Sequence, residues 1–126
     1  MNELPQERLS IAVGALAAAE SVLEQTIDYV KDRKAFGNRL ADLQNTQFEL
    51  ADMSAQLTQQ RVFIDHCIAL HIEGKLDAIM ASKAKLLATD TQFDVINRCL
   101  QLHGGYGYMW EYPVARAFAE IGRAHV

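Results

Sequence analysis

Apolar residues recur at intervals of three, four or seven through most of this chain, and that period constrains the fold more than any other feature. From Pro5 to about Arg33 they fall at Leu9, Val13, Leu16, Leu23, Ile27 and Val30, keeping one helical face apolar. Pro5 suits a first helical turn, where its missing N–H costs nothing, and Glu7 favours the positive end of the helix dipole. Gly37 ends the pattern. A second run, about Leu43 to Glu73, places Leu43, Leu50, Leu57 and Ile64 at seven-residue steps, as in the seam of a bundle. Gln47, Ser54 and Arg61 interrupt that seam and need partners. A third helix, about Asp77 to His103, follows the break at Gly74-Lys75. With Ile79, Met80, Leu86, Leu87, Phe93, Val95, Ile96, Leu100 and Leu102 it is apolar on more than one side, which predicts the most buried helix. Gly104-Gly105-Tyr106-Gly107-Tyr108 closes it, and Pro113 opens a fourth. No stretch alternates apolar and polar residues, so no sheet is expected. The expectation is an all-α, up-and-down four-helix bundle with its last helix truncated.

The 126 residues suffice for one domain, and two prolines and seven glycines leave little room for long loops. A formal charge of -4 with scattered Lys and Arg argues against a nucleic-acid partner. No apolar run approaches the roughly 20 residues of a membrane span, and the N-terminus lacks the pattern of a secretory signal. Cys67 and Cys99 each sit inside a helical pattern and read as buried, reduced thiols. No Glu is followed three positions later by His, so a di-metal bundle is not expected, and His66 and His71 fall on different faces. No metal site is predicted.

Two motifs have both a structural and a functional reading. Gly104-Gly105-Tyr106-Gly107 follows a helix rather than a strand, so it is no dinucleotide fingerprint. Glycine past a helix end supplies the left-handed residue that closes the last turn, and it also lets backbone approach a ligand. Arg33 and Lys34 complement a helix C-terminus, whereas an arginine at a loop mouth can clamp a pyrophosphate.

Taken in order, the segments Leu4-Pro5-Gln6-Glu7-Arg8-Leu9, Tyr29-Val30-Lys31-Asp32-Arg33-Lys34-Ala35-Phe36-Gly37, Leu43-Gln44, Leu50-Ala51-Asp52-Met53 and Cys99-Leu100-Gln101-Leu102-His103-Gly104-Gly105-Tyr106-Gly107-Tyr108 resemble the C-terminal domain of the acyl-CoA dehydrogenases. The opening and Met109-Trp110-Glu111-Tyr112-Pro113 look most like the long-chain branch. The resemblance implies α,β-desaturation of an acyl-CoA thioester, with FAD as hydride acceptor and an electron-transfer flavoprotein as the next carrier. It implies a base at Glu7, where a carboxylate facing an apolar acyl pocket is desolvated and its pKa raised. Pro5, Gln6 and Arg8 would lie near substrate. Arg33 and Phe36 would reach a flavin held largely by a neighbouring subunit, Gln44 would add a contact, and Gln101, Leu102, His103, Gly104 and Gly105 would lie against its adenosine half. A homo-oligomer, dimer or tetramer, follows, in the cytoplasm or, in a eukaryote, the mitochondrial matrix.

The family's N-terminal helical domain and middle β domain are absent, so the chain alone is expected to be inactive. Residues 1–120 form the domain. Residues 121–126, Ile-Gly-Arg-Ala-His-Val, resemble a translated sequencing adapter (ATC GGA AGA GCA CAC GTC) and are expected to be non-native, with Met1 only the first available start. Two alternatives stand beside the enzyme fragment: a helical-bundle scaffold without chemistry, and an oxygen-using acyl-CoA oxidase on the same fold.

Overall fold

A computed structural model describes residues 5–35, 38–39, 42–104 and 117. Three long helices carry the chain: α1 (Pro5–Asp32), α2 (Gln44–Ile72) and α3 (Ala78–Leu102). Pro5 is the first residue of α1 and Glu7 lies in its first turn. After Ile72 the chain closes a left-handed cap. Gly74 has φ +73, its N–H donates to the His71 carbonyl at 3.0 Å, and Lys75 N–H donates to the Leu70 carbonyl at 2.8 Å. Asp77 then caps α3, its carboxylate accepting from Met80 N–H at 2.7 Å.

One expectation needs correcting. The link after α1 holds a two-stranded antiparallel ribbon, β1 (Lys34–Ala35) and β2 (Asn38–Arg39), in which Lys34 pairs with Arg39 and Ala35 with Asn38. Strands of two residues have no room for an alternating pattern, which is why the sequence shows none. Gly37, the turn after Gly104 and the helix opened by Pro113 lie outside the described residues, apart from Ala117, which is helical and packs against the core.

α2 runs antiparallel to both neighbours, whereas α1 and α3 run parallel and share the most extensive packing. Two stripes on α1 account for this. Leu9, Val13, Leu16, Leu23 and Ile27 belong to the apolar face read from the sequence, and Glu20 on the same side pairs with Arg61 of α2. A second stripe of small residues, Ala12, Ala15, Ala19, Val22 and Thr26, is buried against α3. Its ends are marked by Arg8, which bonds Ser82, and Tyr29, which meets His103. α3 answers with Ala81, Ala84, Ala88 and Thr91, all buried. Small side chains on both helices let the two backbones approach closely.

With α1, α3 is one of the two most buried helices among the described residues, and Val95, Ile96 and Leu100 are buried as expected. Its large residues Ile79, Leu86, Leu87 and Phe93 are exposed, because the side that packs on α1 is the alanine side. The seam of α2 holds at Leu57 and Ile64, which are buried, and at Leu50, which packs against the core; Met53 and Cys67 join it, while Gln47 and Ser54 are exposed. Arg61 finds its partners in Glu20, which accepts from Nε at 3.2 Å, and in Asp65 at 3.7 Å. These pairs hold the Arg61 pKa above its usual value, the Glu20 hydrogen bond being the largest cause. Cys67 and Cys99 are free, buried thiols. Burial pushes Cys99 up to about 11, with the neighbouring Thr26 hydroxyl and Arg98 pulling the other way.

A substitution tests the close α1–α3 contact. Ala84→Leu should destabilise the chain by about 1–3 kcal/mol, the usual cost of overpacking a filled core. Ala17→Leu, on the exposed side of α1, should stay within about 0.5 kcal/mol. Urea unfolding measures both, and equal midpoints for the two variants would refute tight packing at Ala84.

Candidate functional site

The expected site residues gather at the two ends of α1. At its C-terminal end, the exposed guanidinium of Arg33 stands 5.0 Å over the ring of Tyr29. Tyr29 sits four residues earlier, the spacing that brings one helical side chain under the next. Its ring stacks on that of His103 with centroids 4.2 Å apart and planes at 28°. The Tyr29 hydroxyl also donates to the His103 carbonyl at 3.4 Å.

His103, just past α3, is buried. Its Nδ1 lies 2.8 Å from the Cys99 carbonyl, so the proton belongs on Nδ1. Burial lowers the His103 pKa and the nearby Arg33 charge lowers it further, against the opposing pull of the Cys99 carbonyl. The ring is neutral at pH 7, which leaves Arg33 as the charge of the cluster. Next to it Gly104 has φ +58, and among the described residues nothing lies within 4 Å of where a Cβ would stand. Both readings of this glycine are compatible with that geometry: it closes the helix and it leaves the surface bare.

α2 begins at the same end of the molecule. Arg98 near the end of α3 pairs with Glu49 and, at 2.7 Å, with Asp52 in the first turns of α2, and with Asp94 on its own helix at 3.4 Å. Burial opposes the Arg98 charge, but the hydrogen bonds it donates to Asp52 and Glu49 outweigh it and raise the pKa. Gln44, the first residue of α2, is exposed there, and Leu43 in the cap position offers no side-chain acceptor to the first N–H groups. Gln101 is exposed and Leu102 packs against the core. Phe36 and Gly105 lie outside the described residues.

Glu7 stands at the other end, twenty-six residues before Arg33. At 1.5 Å per residue that is about 39 Å along the helix. Glu7 and Gln6 are exposed and Pro5 is half-buried. The described residues therefore do not by themselves bury Glu7 as the sequence reading expected. Arg8 turns to α3, donating to Ser82 Oγ at 2.6 Å and to the Ala78 carbonyl at 3.3 Å. Hollows flank this turn: one of 280 Å³ beside Pro5, Gln6 and His71, another of 340 Å³ beside Arg8, Ile79 and Leu86. A separate open groove of 550 Å³ between α1 and α2, lined by Leu23, Ile27, Leu57 and Arg61, includes none of the expected site residues. His66 and His71 are exposed. Among the described residues no three of His, Cys, Asp and Glu converge as a metal set, and no helix is long and apolar enough to cross a membrane.

Tyr29 was given no role by the sequence reading, although its place four residues before Arg33 could have suggested one. Arg98 carried no sequence signal at all, since only the packing of α3 on α2 surrounds it with carboxylates.

Comparison with known proteins gives consistent matches. Residues 1–124 match the family model described as "Acyl-CoA dehydrogenase, C-terminal domain". The chain is 48% identical over 120 residues to the mitochondrial long-chain specific acyl-CoA dehydrogenase of Mus musculus, covering 95% of this chain and 28% of that protein. It is 34% identical over 120 residues to the caffeyl-CoA reductase-Etf complex subunit CarC of Acetobacterium woodii, covering 95% and 32%. An acyl-CoA dehydrogenase crystal structure from Geobacillus kaustophilus superposes with a TM-score of 0.93 at 41% identity, over 97% of this chain and 32% of that one. A glutaryl-CoA dehydrogenase from Mycobacterium smegmatis, solved with FADH2, gives 0.89 at 29% identity, over 93% and 30%. The chain thus spans about a third or less of the length of each.

The neutral, buried His103 sets a pH dependence. Its pKa in the folded chain lies below the ordinary 6.5, so as pH falls through that value the unfolded chain takes up a proton that the folded chain does not. Stability is full above this range and is lost as pH falls toward the folded pKa. His103→Phe keeps a ring against Tyr29 and should lose less stability between about pH 7 and about pH 5 than the wild type. Urea unfolding at several pH values would show it. Parallel pH profiles for the two proteins would mean that His103 titrates as freely folded as unfolded.

Proposed function

The chain belongs to the acyl-CoA dehydrogenase family, and from that premise we propose that it is the C-terminal helical domain of a flavoenzyme that α,β-desaturates fatty acyl-CoA thioesters. The observation that carries this reading is the similarity of 95% of the chain to the mouse long-chain enzyme. The rest of the catalytic machinery would come from the two thirds or more of such an enzyme that this chain does not span. In the whole domain a fourth helix, of which Ala117 is part, completes an up-and-down bundle. The domain proper covers residues 1–120, and residues 121–126 are a non-native tail. Genomic sequence through this locus that retains Gly122 to Val126 would overturn that assignment of the tail.

The residues at the C-terminal end of α1 fit FAD. Arg33 is an exposed, planar cation held over an aromatic ring, a donor set matched to a pyrophosphate. Gly104 offers bare backbone beside it, and Gln44 a side-chain amide. Phe36, Gln101, Leu102, His103 and Gly105 complete the adenosine side in this reading. Bound, FAD would supply the acceptor for the substrate's β-hydride. A relative of this family solved with FADH2 supports the assignment.

Glu7 takes the α-proton of the thioester. It stands in the first turn of α1, exposed among the described residues, where an acyl chain could lie over it in the complex. Pro5 and Gln6 shape the turn beside the substrate. Arg8 contributes there through its bonds to Ala78 and Ser82, which fix that turn against α3.

Glu7 and Arg33 are farther apart than the length of one flavin dinucleotide, so they serve two different active sites. A homo-oligomer, dimer or tetramer, brings Arg33 of one subunit to the flavin of another. Electrons leave to an electron-transfer flavoprotein, a reading supported by the relative named as part of an Etf complex. In a eukaryote the compartment would be the mitochondrion, which the mouse relative's name supports.

Glu7→Gln in a full-length enzyme containing this domain tests the assignment. Volume and helix geometry are kept, so FAD content and acyl-CoA binding should persist. Flavin reduction should slow by roughly 10²–10⁴-fold, the scale of a lost general base. Stopped-flow bleaching by a long-chain acyl-CoA reads that step apart from binding. Bleaching at the wild-type rate would move the base to another residue and leave Glu7 a helix-end charge.

A further inference from the structure

We propose that Arg98 is a positioning residue for the cofactor: it locks the first turns of α2 onto α3 and so sets where Gln44 stands. The proposal rests on the cofactor reading above, in which Gln44 offers FAD a side-chain amide, and adds to it a residue that does not itself touch the ligand. Arg98 is partly buried near the end of α3, and each nitrogen of its guanidinium meets a carboxylate of this chain. Nε donates to Glu49 Oε2 at 2.7 Å, and the neighbouring terminal nitrogen Nη2 pairs with the same oxygen. The other terminal nitrogen donates to Asp52 at 2.7 Å and reaches Asp94, on its own helix, at 3.4 Å. Glu49 and Asp52 are three residues apart, so they lie on one face of α2 and a single arginine grips two of its turns. Adjacent donors of a rigid, planar fork fix the direction of the carboxylate they meet as well as its distance.

The start of α2 has little else to fix it. Leu43, in the cap position, makes no side-chain cap bond, so no local contact of that kind marks where the helix begins. Ahead of Met53 only Thr46 is buried within α2, and Leu50 packs against the core. Apolar burial of this kind holds two helices together without choosing their register, because the hydrophobic effect is non-directional. The arginine chooses it. Gln44 precedes Glu49 by five residues, about 7.5 Å of helix, and in the antiparallel α3 the same rise from Arg98 reaches His103, beside Gly104. Gln44 is level with the end of α3 because Arg98 pairs where it does. A slip of α2 by one turn would carry the amide about 5.4 Å along the bundle, beyond the reach of a hydrogen bond made at its present place.

Two measurements test the grip and its purpose separately. In the 126-residue chain, hydrogen exchange reads the first turns of α2, beginning with the Gln47 N–H that donates to the Leu43 carbonyl. Arg98→Met should speed exchange from Gln47 to Leu50 by about threefold or more while leaving the middle of α1 unchanged. Exchange at Gln47 that is unchanged, or faster only in step with the whole chain, overturns the proposal. In a full-length enzyme containing this domain, FAD is removed and titrated back while flavin fluorescence is followed. Gln44→Ala should weaken FAD binding by about threefold to tenfold, the scale of one neutral hydrogen bond. Arg98→Met should weaken it by a similar factor alone, and by nothing further when added to Gln44→Ala, because Arg98 acts through Gln44. Should Arg98→Met fail to fold, Glu49→Gln loosens the same grip from the other helix and takes its place in the cycle. Additive losses would make Arg98 a general support of the fold and overturn the proposal while the cofactor role of Gln44 stands. If Gln44→Ala binds FAD like the wild type, that role falls and the proposal falls with it.

Discussion

The contact between α1 and α3 is made largely of alanine, and the two ends of the molecule depend on it. Ala12, Ala15 and Ala19 on one helix, and Ala81, Ala84 and Ala88 on the other, are all buried. Alanine buries little area per residue, so such a seam gains its stability from close approach over a great length rather than from any one side chain. It also fixes register: two small-residue faces in contact can slide only by forcing larger neighbours together. Register is what aligns Arg8 with Ser82 at one end and Tyr29 with His103 at the other.

α2 is held differently. Beyond its apolar seam of Met53, Leu57, Ile64 and Cys67, it is tied by arginines to each partner: Arg61 to Glu20 of α1, and Arg98 of α3 to Glu49 and Asp52. Both arginine side chains are partly exposed, 34% for Arg61 and 21% for Arg98, so screening by water keeps their contribution modest. Their geometric effect is larger than their energetic one. Arg98 meets carboxylates from two helices, which locates the start of α2, and with it Gln44, beside the end of α3.

The three helices and their ends were legible because long helices declare themselves through repeated apolar spacing and through Pro5, Gly74 and Asp77 at their limits. The interior of the bundle was less so. Reading large apolar residues found the side of α1 that carries Leu9, Leu16 and Leu23, yet missed the alanine side, since alanine is too weakly hydrophobic to stand out from a helix surface. On α3 the same habit pointed to Ile79, Leu86 and Phe93, which are exposed. The ribbon at Lys34–Ala35 and Asn38–Arg39 escaped because backbone pairing over two residues leaves no side-chain pattern. The proposed site rests on family resemblance for its residue types and their order. The Tyr29 platform and the separation of Glu7 from Arg33 needed the helix to be built.

The two ends also differ in how complete they are, and the difference follows from what each has to do. In the proposed enzyme an arginine that meets a phosphate gains from being fixed before its ligand arrives, and among the described residues Arg33 rests over the ring of Tyr29, which stacks on His103. A general base gains from being covered only when its substrate is present, because permanent burial of an unpaired carboxylate costs far more than transient burial under an acyl chain. Glu7 is accordingly anchored by its backbone, through the first turn of α1 and the Arg8 bonds to α3, while its side chain stays in water. In the proposed enzyme the cofactor end is organised by the fold and the catalytic end by the complex. The twenty-eight residues of α1 separate Glu7 in its first turn from Arg33 just past its end, which in the proposed enzyme would put them in different active sites.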